Sequence, residues 1–184
     1  AWDKAPNAVV VIAADMLDAS TGTRLAANEI TLFVRGAGGW GGPRGAGGEG
    51  ESASDRAPDA SVREAIPANQ TLLYRLSGDW NPLHADPAFA RRFGFERPIL
   101  HGLCTHGYAV RHVLRTFADN DGRRVKSIRL RFADPVFPGD TLETRMWQVT
   151  PTRIAFAARV VERDRFVVRN GVLELHPPPS SAAP

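Results

Sequence analysis

Cysteine and long apolar runs are both scarce in this sequence, and each scarcity excludes a class of protein. The single cysteine, Cys104, excludes an intrachain disulfide and favours a reducing compartment, which predicts a cytoplasmic location. The apolar stretch 9–14 is interrupted by Asp15, and no run approaches the roughly 20 residues that a membrane span needs. We therefore expect no membrane association, and we predict that Cys104 is a small buried residue rather than a nucleophile.

Lysine is also rare, and charges of the two signs are mixed. Of the 23 basic residues two are lysines, Lys4 and Lys126, so 23 − 2 = 21 are arginines, and 20 acidic residues balance them. The arginines are scattered, whereas a nucleic-acid-binding surface usually has a concentrated basic stripe. We therefore predict no nucleic-acid partner. The net charge of +3 is compatible with a phosphate-bearing small molecule.

The first third of the chain predicts a hairpin followed by a linker. Apolar residues at 8–17 and 24–35 predict two strands, joined by a polar turn that contains Gly22. A two-stranded hairpin is marginal alone, so it must dock on something else. Residues 36–66 begin with a glycine-rich run that disfavours helix and strand, and we interpret them as a linker.

Residues 67–176 have the pattern of one α+β domain, followed by a disordered tail at 177–184. A short helix is predicted at 70–76, and Asp86-Pro87 combines an aspartate cap with a proline at the first helical position. Apolar residues at helical spacing predict a long helix over 100–118.

Four strands are predicted after the long helix, at 125–133, 141–150, 153–162 and 166–175. Alternation is clearest at Ile128, Leu130 and Phe132. A long helix followed by antiparallel strands predicts a sheet that wraps around the helix.

Four residues between 79 and 102 supply the groups that acid–base chemistry on a polarised carbonyl needs. Asp79 and His84 place a carboxylate and an imidazole on one turn-rich segment, with Asn81 between them. Gly102, at the expected N-terminus of the long helix, offers an unpaired N–H to a developing oxyanion. Considered without the longer pattern, Asp79 and Asn81 could equally be turn residues that bond their own backbone.

Three stretches, 74–84, 93–102 and 132–140, resemble the MaoC-like, hydratase-2 type (R)-specific enoyl-CoA hydratases. The resemblance covers roughly residues 70–175. It implies an α+β hot-dog fold, in which an antiparallel sheet wraps a long central helix. It also implies that the domain 67–176 hydrates trans-2-enoyl-CoA to (3R)-3-hydroxyacyl-CoA, or catalyses the reverse dehydration, in fatty-acid or sterol side-chain metabolism.

The resemblance also implies roles for the same four residues. Asp79 and His84 match the family's catalytic aspartate and histidine, five positions apart (84 − 79 = 5). They would hold one water aimed at C3 and manage the proton that C2 receives, and which of the two delivers it stays open. Asn81 would orient the site, and the Gly102 N–H would stabilise the enolate oxygen. No metal or other cofactor is implied, because coenzyme A is part of the acyl-CoA substrate.

Larger members of this family contain two hot-dog repeats, of which the C-terminal one is catalytic. Residues 1–35 match the last strands of an incomplete N-terminal repeat. We therefore expect that the chain is the C-terminal part of a two-repeat hydratase, or that another chain supplies the missing half, and we expect dimerisation. The missing repeat would form much of the acyl tunnel. Acyl length, fatty acyl or steroid-like, and the physiological direction therefore stay open.

Other interpretations of the same residues remain at this point. A metal site of Asp79, His84 and Asp86 is conceivable, although Asp86 already has a capping role. A hot-dog acyl-CoA thioesterase usually carries an acidic residue on the central helix, and 102–118 contains none. A non-catalytic acyl-binding subunit of a heteromeric hydratase is disfavoured because all four site residues are kept. We interpret His101, which also matches the family pattern, as a structural hydrogen-bonding residue.

Overall fold

Strands at the start of the chain and a long helix further on belong to separate compact units. The computed structural model describes residues 1–45 and 56–178, and the chain divides into units 1–49 and 50–184. Within the described residues, no helix is both long and apolar enough to cross a membrane. The predicted positions 46–55 of the linker and 179–184 of the tail lie outside the described residues.

The first unit is a three-stranded antiparallel sheet in the order β1-β2-β3. Its strands are β1 (Trp2–Lys4), β2 (Asn7–Leu17) and β3 (Arg24–Val34). The predicted hairpin is therefore confirmed. Strand β1 was not predicted, because three residues are too few to show an alternating pattern. Asp18 closes the turn between β2 and β3, because its Oδ1 accepts the N–H groups of Ser20 and Thr21 at 2.9 and 2.8 Å.

Over the described residues 56–178, the second unit is a five-stranded antiparallel sheet in the order β4-β6-β7-β8-β5, with three α-helices. Its strands are β4 (Ala60–Ala65), β5 (Val125–Phe132), β6 (Thr141–Thr150), β7 (Arg153–Val160) and β8 (Arg165–Leu175). Its helices are α1 (Gln70–Arg75), α2 (Pro87–Arg92) and α3 (Gly102–Phe117), with single 3-10 turns at Pro82–His84 and Gly122–Arg124. The long helix α3 packs against β6, β7 and β8. The predicted hot-dog architecture, an antiparallel sheet around a long central helix, is thus confirmed.

The linker interpretation is wrong for the last residues of 36–66. Ala60–Ala65 form strand β4, which pairs antiparallel with β6 from Ala60 opposite Met146 to Ala65 opposite Thr141. The strand was missed because its alternation is weak. Glu64 occupies a position where an apolar residue would have marked the inner face, and it is held there by a partner on α3.

The core of the second unit lies between α3 and the sheet. The helix contributes Ala109 and Val113, and the sheet contributes Met146, Phe156 and Leu173, all with 2% or less of their surface exposed. Burying a side chain as large as Phe156 or Leu173 contributes about 1.5–3 kcal/mol. This packing fixes the position of α3, and therefore of its N-terminus, relative to the sheet.

A buried histidine joins α3 to two strands. His112 Nε2 donates to Glu64 Oε2 on β4 at 2.9 Å, so Nδ1 is the acceptor nitrogen and receives the Thr144 hydroxyl of β6 at 2.9 Å. Arg111 also binds Glu64, at 2.7 Å. Burial lowers the pKa of His112, and the charge of Glu64 only partly opposes this effect. The histidine is therefore neutral in the folded protein near pH 7.

Acidification is expected to destabilise the protein through His112. The folded state binds a proton on His112 less tightly than the unfolded chain does. The free energy of unfolding is therefore highest above a pH of about 6.5, and it decreases as the pH falls below that value. His101 and His106, whose pKa values burial also lowers, act in the same direction. Urea unfolding at about pH 7.5 and pH 5.5 measures the loss, which should be smaller in His112→Gln. An equal loss in both proteins would contradict this assignment.

The outer side of the sheet holds a buried carboxylate that the arginines neutralise. Glu143 on β6 is almost fully buried and is bound by Arg63 at 2.7 Å, Arg145 at 2.9 Å and Arg159 at 2.5 Å. Burial raises the pKa of Glu143, but the three guanidinium groups outweigh burial and hold it at about 2. Part of the arginine surplus therefore serves an internal ion cluster rather than a ligand surface.

Candidate active site

Asp79, the candidate acid, lies in a turn that is held together by the side chains of the turn residues themselves. Asp79 Oδ1 accepts the Asn81 N–H at 3.2 Å, and Asn81 Oδ1 accepts the Leu83 N–H at 3.0 Å. The second bond caps the 3-10 turn Pro82–His84, whose first position is a proline. Both residues thus make the local bonds expected of turn residues, and the Asp79 side chain remains about half exposed (51%).

The candidate imidazole is buried and has a defined tautomer. His84 Nδ1 lies 2.8 Å from the carbonyl oxygen of Ile99. A carbonyl oxygen can only accept, so Nδ1 carries a proton and the neutral ring has its lone pair on Nε2. Ile99 precedes α3, so this bond also fixes the loop to the segment that leads into the helix. His84 is therefore arranged to accept a proton on Nε2.

The turn and the helix entrance bring three titratable side chains together. One donor or acceptor atom each of Asp79, His84 and His101 lies within 4.8 Å of the other two. One water molecule that makes a hydrogen bond of about 2.8 Å to each of two such atoms can bridge this distance. Asp79 and His84 thus lie close together, and His101, interpreted from the sequence as a structural hydrogen-bonding residue, lies beside both.

The backbone N–H of Gly102 lies at the first position of α3. No acceptor within residues 1–45 and 56–178 contacts it, and Gly102 is exposed. A Cβ added here would lie 3.3 Å from the Phe132 ring, so glycine also leaves room beside the amide. An unpaired amide at the positive end of a 16-residue helix is a suitable donor to a developing oxyanion.

In the alternative metal site of Asp79, His84 and Asp86, the side chain of Asp86 is already engaged elsewhere. Asp86 caps α2, accepting the N–H groups of Ala88 and Phe89 at 2.7 and 3.2 Å. His101 takes its place in the cluster, but its Nε2, which faces Asp79, also lies 3.3 Å from the carbonyl oxygen of that residue. That nitrogen therefore carries a proton and cannot bind a metal. The donor set suits proton transfer better than metal ligation.

An open groove of about 280 Å³ follows α3 from the residue after Gly102. Leu103, Gly107 and Arg111, spaced four apart, lie on the helical side of this groove. The remaining lining residues are Glu64, Tyr74, Cys104 and Tyr108. Sequence reasoning missed the groove, although the exposed Leu103 at helical spacing from Gly107 was a signal that could have revealed it.

Cys104 and Arg97, two further residues of the second unit, have structural contacts. Cys104 is buried on α3, as predicted, and burial raises the pKa of its thiol, which makes it a poor nucleophile. Arg97 donates to the Pro138 carbonyl at 3.0 Å and lies over the Phe137 ring at 4.7 Å. Its charge is therefore used to fix the loop that it contacts.

The chain matches one family model and many known proteins. The model described as a MaoC like domain matches residues 50–170. Mouse peroxisomal multifunctional enzyme type 2 is 49% identical over 172 residues, which cover 91% of this chain and 23% of that protein. A probable enoyl-CoA hydratase 2 from Dictyostelium discoideum is 43% identical over 178 residues, 96% of this chain and 60% of that protein.

Solved structures show the same fold over nearly the whole chain. A MaoC-like dehydratase from Phytophthora capsici superposes with a TM-score of 0.89 at 36% identity, covering 99% of this chain and 61% of that one. Full-length peroxisomal multifunctional enzyme type 2 from Drosophila melanogaster gives a TM-score of 0.85 at 42% identity, covering 95% of this chain and 31% of that one. The chain therefore spans less than two thirds of each of these proteins.

Proposed function

The chain belongs to the MaoC-like domain family, and from this premise we propose that it catalyses the (R)-specific hydration of trans-2-enoyl-CoA to (3R)-3-hydroxyacyl-CoA, or the reverse dehydration. The observation that carries the proposal is the convergence of Asp79 and His84, within 4.8 Å, near a helix that begins with the unpaired Gly102 N–H. Relatives named as enoyl-CoA hydratases support the reaction class.

In the proposed reaction Asp79 and His84 hold one water between them. The oxygen of this water bonds to C3 while the pair removes one of its protons. The C2=C3 π electrons move toward the carbonyl, and the Gly102 N–H stabilises the negative charge on the thioester oxygen. A proton from the same pair is then returned to C2, so the site recovers its starting protonation. We propose that Asn81 supports this geometry by capping the turn on which both side chains lie.

A direct assay tests the proposal. The native protein is incubated with trans-2-enoyl-CoA, and the conjugated double bond is followed by its absorbance while free thiol is measured in parallel. We expect loss of the double bond without thiol release, and a 3R product on chiral analysis. Thiol release would indicate a thioesterase, and no turnover would indicate a non-catalytic acyl-binding subunit. Substrates of increasing acyl length, and a steroid-like acyl-CoA, would define the substrate range that the groove admits.

The relation of the chain to a second repeat is also a proposal. The chain spans 23% and 60% of two relatives, and residues 1–35 contain a hairpin whose large apolar residues, such as Leu25 and Phe33, are exposed. We infer that this hairpin belongs to an N-terminal hot-dog repeat, supplied by the same or another chain, and that the complete hydratase dimerises. A monomeric species of 20.0 kDa with full activity would contradict this inference.

We propose a cytoplasmic location for the protein. A single buried cysteine is consistent with the reducing cytoplasm that we propose. Several relatives are named as peroxisomal, so the peroxisome is the alternative location. Fractionation of the source cells would decide between them.

A further inference from the structure

His101 contacts the candidate acid and the candidate imidazole, and it immediately precedes the residue that carries the oxyanion donor. Its ring is 1% exposed and stacks on the His84 ring, with centroids 3.7 Å apart and planes at 25°. Its Nε2 lies 3.3 Å from the Asp79 carbonyl oxygen and 4.0 Å from Asp79 Oδ2. The next peptide bond along the chain carries the Gly102 N–H.

The position of His101 in α3 does not explain why a histidine is present. It is the N-cap residue, but its side chain makes no capping hydrogen bond to the helix. Serine, threonine, aspartate and asparagine are the residues that stabilise this position. The helix therefore starts without a side-chain cap, and the ring is directed at the Asp79 loop instead. This arrangement indicates a role in joining the loop to the helix.

His101 is a fixed hydrogen-bond donor rather than a proton carrier. Because the Asp79 carbonyl can only accept, Nε2 holds the proton of the neutral ring. The other nitrogen, Nδ1, is buried and has no partner among the residues that the structure describes. Burial lowers the pKa of His101, and the charge of His84 lowers it further, while Asp79 partly opposes them. A second proton would therefore be poorly accommodated.

We propose that His101 is a positioning residue, which fixes Asp79 by hydrogen bonding and His84 by stacking so that the two side chains stay close together. The inference rests on the proposed hydration. It assigns no proton transfer to His101, because Nδ1 is closed to solvent and Nε2 is engaged by the backbone. Displacing reacting groups by about 1 Å can cost on the order of 10²-fold in rate, so loss of this support should reduce kcat.

Two variants separate the contributions of the ring and the donor. His101→Phe keeps a flat ring but has no N–H, whereas His101→Gln can place an amide N–H near the position of Nε2 but cannot stack. We expect kcat of His101→Phe to fall about 10²-fold with KM little changed, and His101→Gln to recover part of that loss. The pH profile of kcat should keep both limbs in each variant, because His101 itself transfers no proton.

A double-variant cycle tests whether His101 acts through Asp79. If it does, His101→Phe should lower kcat far less in an Asp79→Asn background than in the wild type. Equal effects in both backgrounds would overturn the inference, as would loss of one limb of the pH profile. Loss of kcat that only parallels loss of folded protein by circular dichroism, with no recovery in His101→Gln, would also overturn it.

The imidazole signals of the wild type give a readout that does not depend on turnover. In ¹⁵N-labelled protein we expect a slowly exchanging Nε2–H on His101, which should disappear in His101→Phe. A rapidly exchanging or absent signal in the wild type would overturn the inference. A wild type that hydrates no enoyl-CoA but shows this signal would instead overturn the proposed function, so the two failures are distinguishable.

Discussion

Asp79→Asn is expected to lower kcat for hydration by about 10²–10⁴-fold, because asparagine cannot exchange a proton with the attacking water. The substitution preserves shape, and its side-chain oxygen can still accept the Asn81 N–H that Asp79 now accepts at 3.2 Å. The turn should therefore persist while the chemistry is lost. Steady-state measurement of kcat with trans-2-enoyl-CoA is the test.

The matched control for this variant is Asp121→Asn. Asp121 is also a capping aspartate, accepting the Arg123 N–H at 3.0 Å, but it precedes the 3-10 turn after α3. Asparagine caps equally well, so kcat should be unchanged. His84→Gln should resemble Asp79→Asn, and the double variant should lose little more than either single variant, because the two act as a unit. Near-wild-type kcat in Asp79→Asn would refute the assigned acid–base pair.

Gly102→Pro should remove the oxyanion donor while leaving the helix in place. Proline lacks the N–H but is favoured at the first helical position, where no intrahelical bond is lost. The preceding residue, His101, already has φ −58° and ψ 136°, which a following proline tolerates. We expect kcat to fall about 10²–10³-fold, as for loss of one oxyanion-hole donor.

Gly102→Ala provides the comparison for the proline variant. Alanine retains the N–H and adds only a Cβ, 3.3 Å from the ring of Phe132, which is itself 47% exposed and can shift. The ratio of kcat in the two variants therefore isolates the N–H from the added bulk. Equal activity in both, with unchanged circular dichroism, would show that the Gly102 amide does not stabilise the reaction.

Most of the secondary structure of the second unit can be predicted from the local sequence pattern, because its helices and strands are long and regular. The helix predicted at 100–118 is observed at Gly102–Phe117, and the strand predicted at 141–150 is observed as Thr141–Thr150. The cap at Asp86 is confirmed by two hydrogen bonds of its side chain. These features depend on residues close in sequence, so spacing and capping chemistry are sufficient to predict them.

The features that sequence did not predict depend on distant partners. Glu64 occupies an inward position of β4 because His112 and Arg111, on a helix far along the chain, supply its hydrogen bonds. The contact between His101 and Asp79 likewise needs the loop to fold back on the helix entrance. Strand order also lies outside local pattern, since β4 and β5 are the two edges of a sheet that β6, β7 and β8 complete.

The groups of the candidate site come from one short segment of the chain, which affects how this protein can diverge. The carboxylate, both imidazoles and the helix amide of the candidate site all lie in the continuous stretch 79–102. Within residues 1–45 and 56–178, no strand residue belongs to the cluster of Asp79, His84 and His101. Substitutions of groove residues such as Leu103 and Gly107 can thus change the shape of the groove while the four groups of the site stay in place. Under the proposed function, such substitutions should change which acyl groups are accepted while the reaction itself is retained.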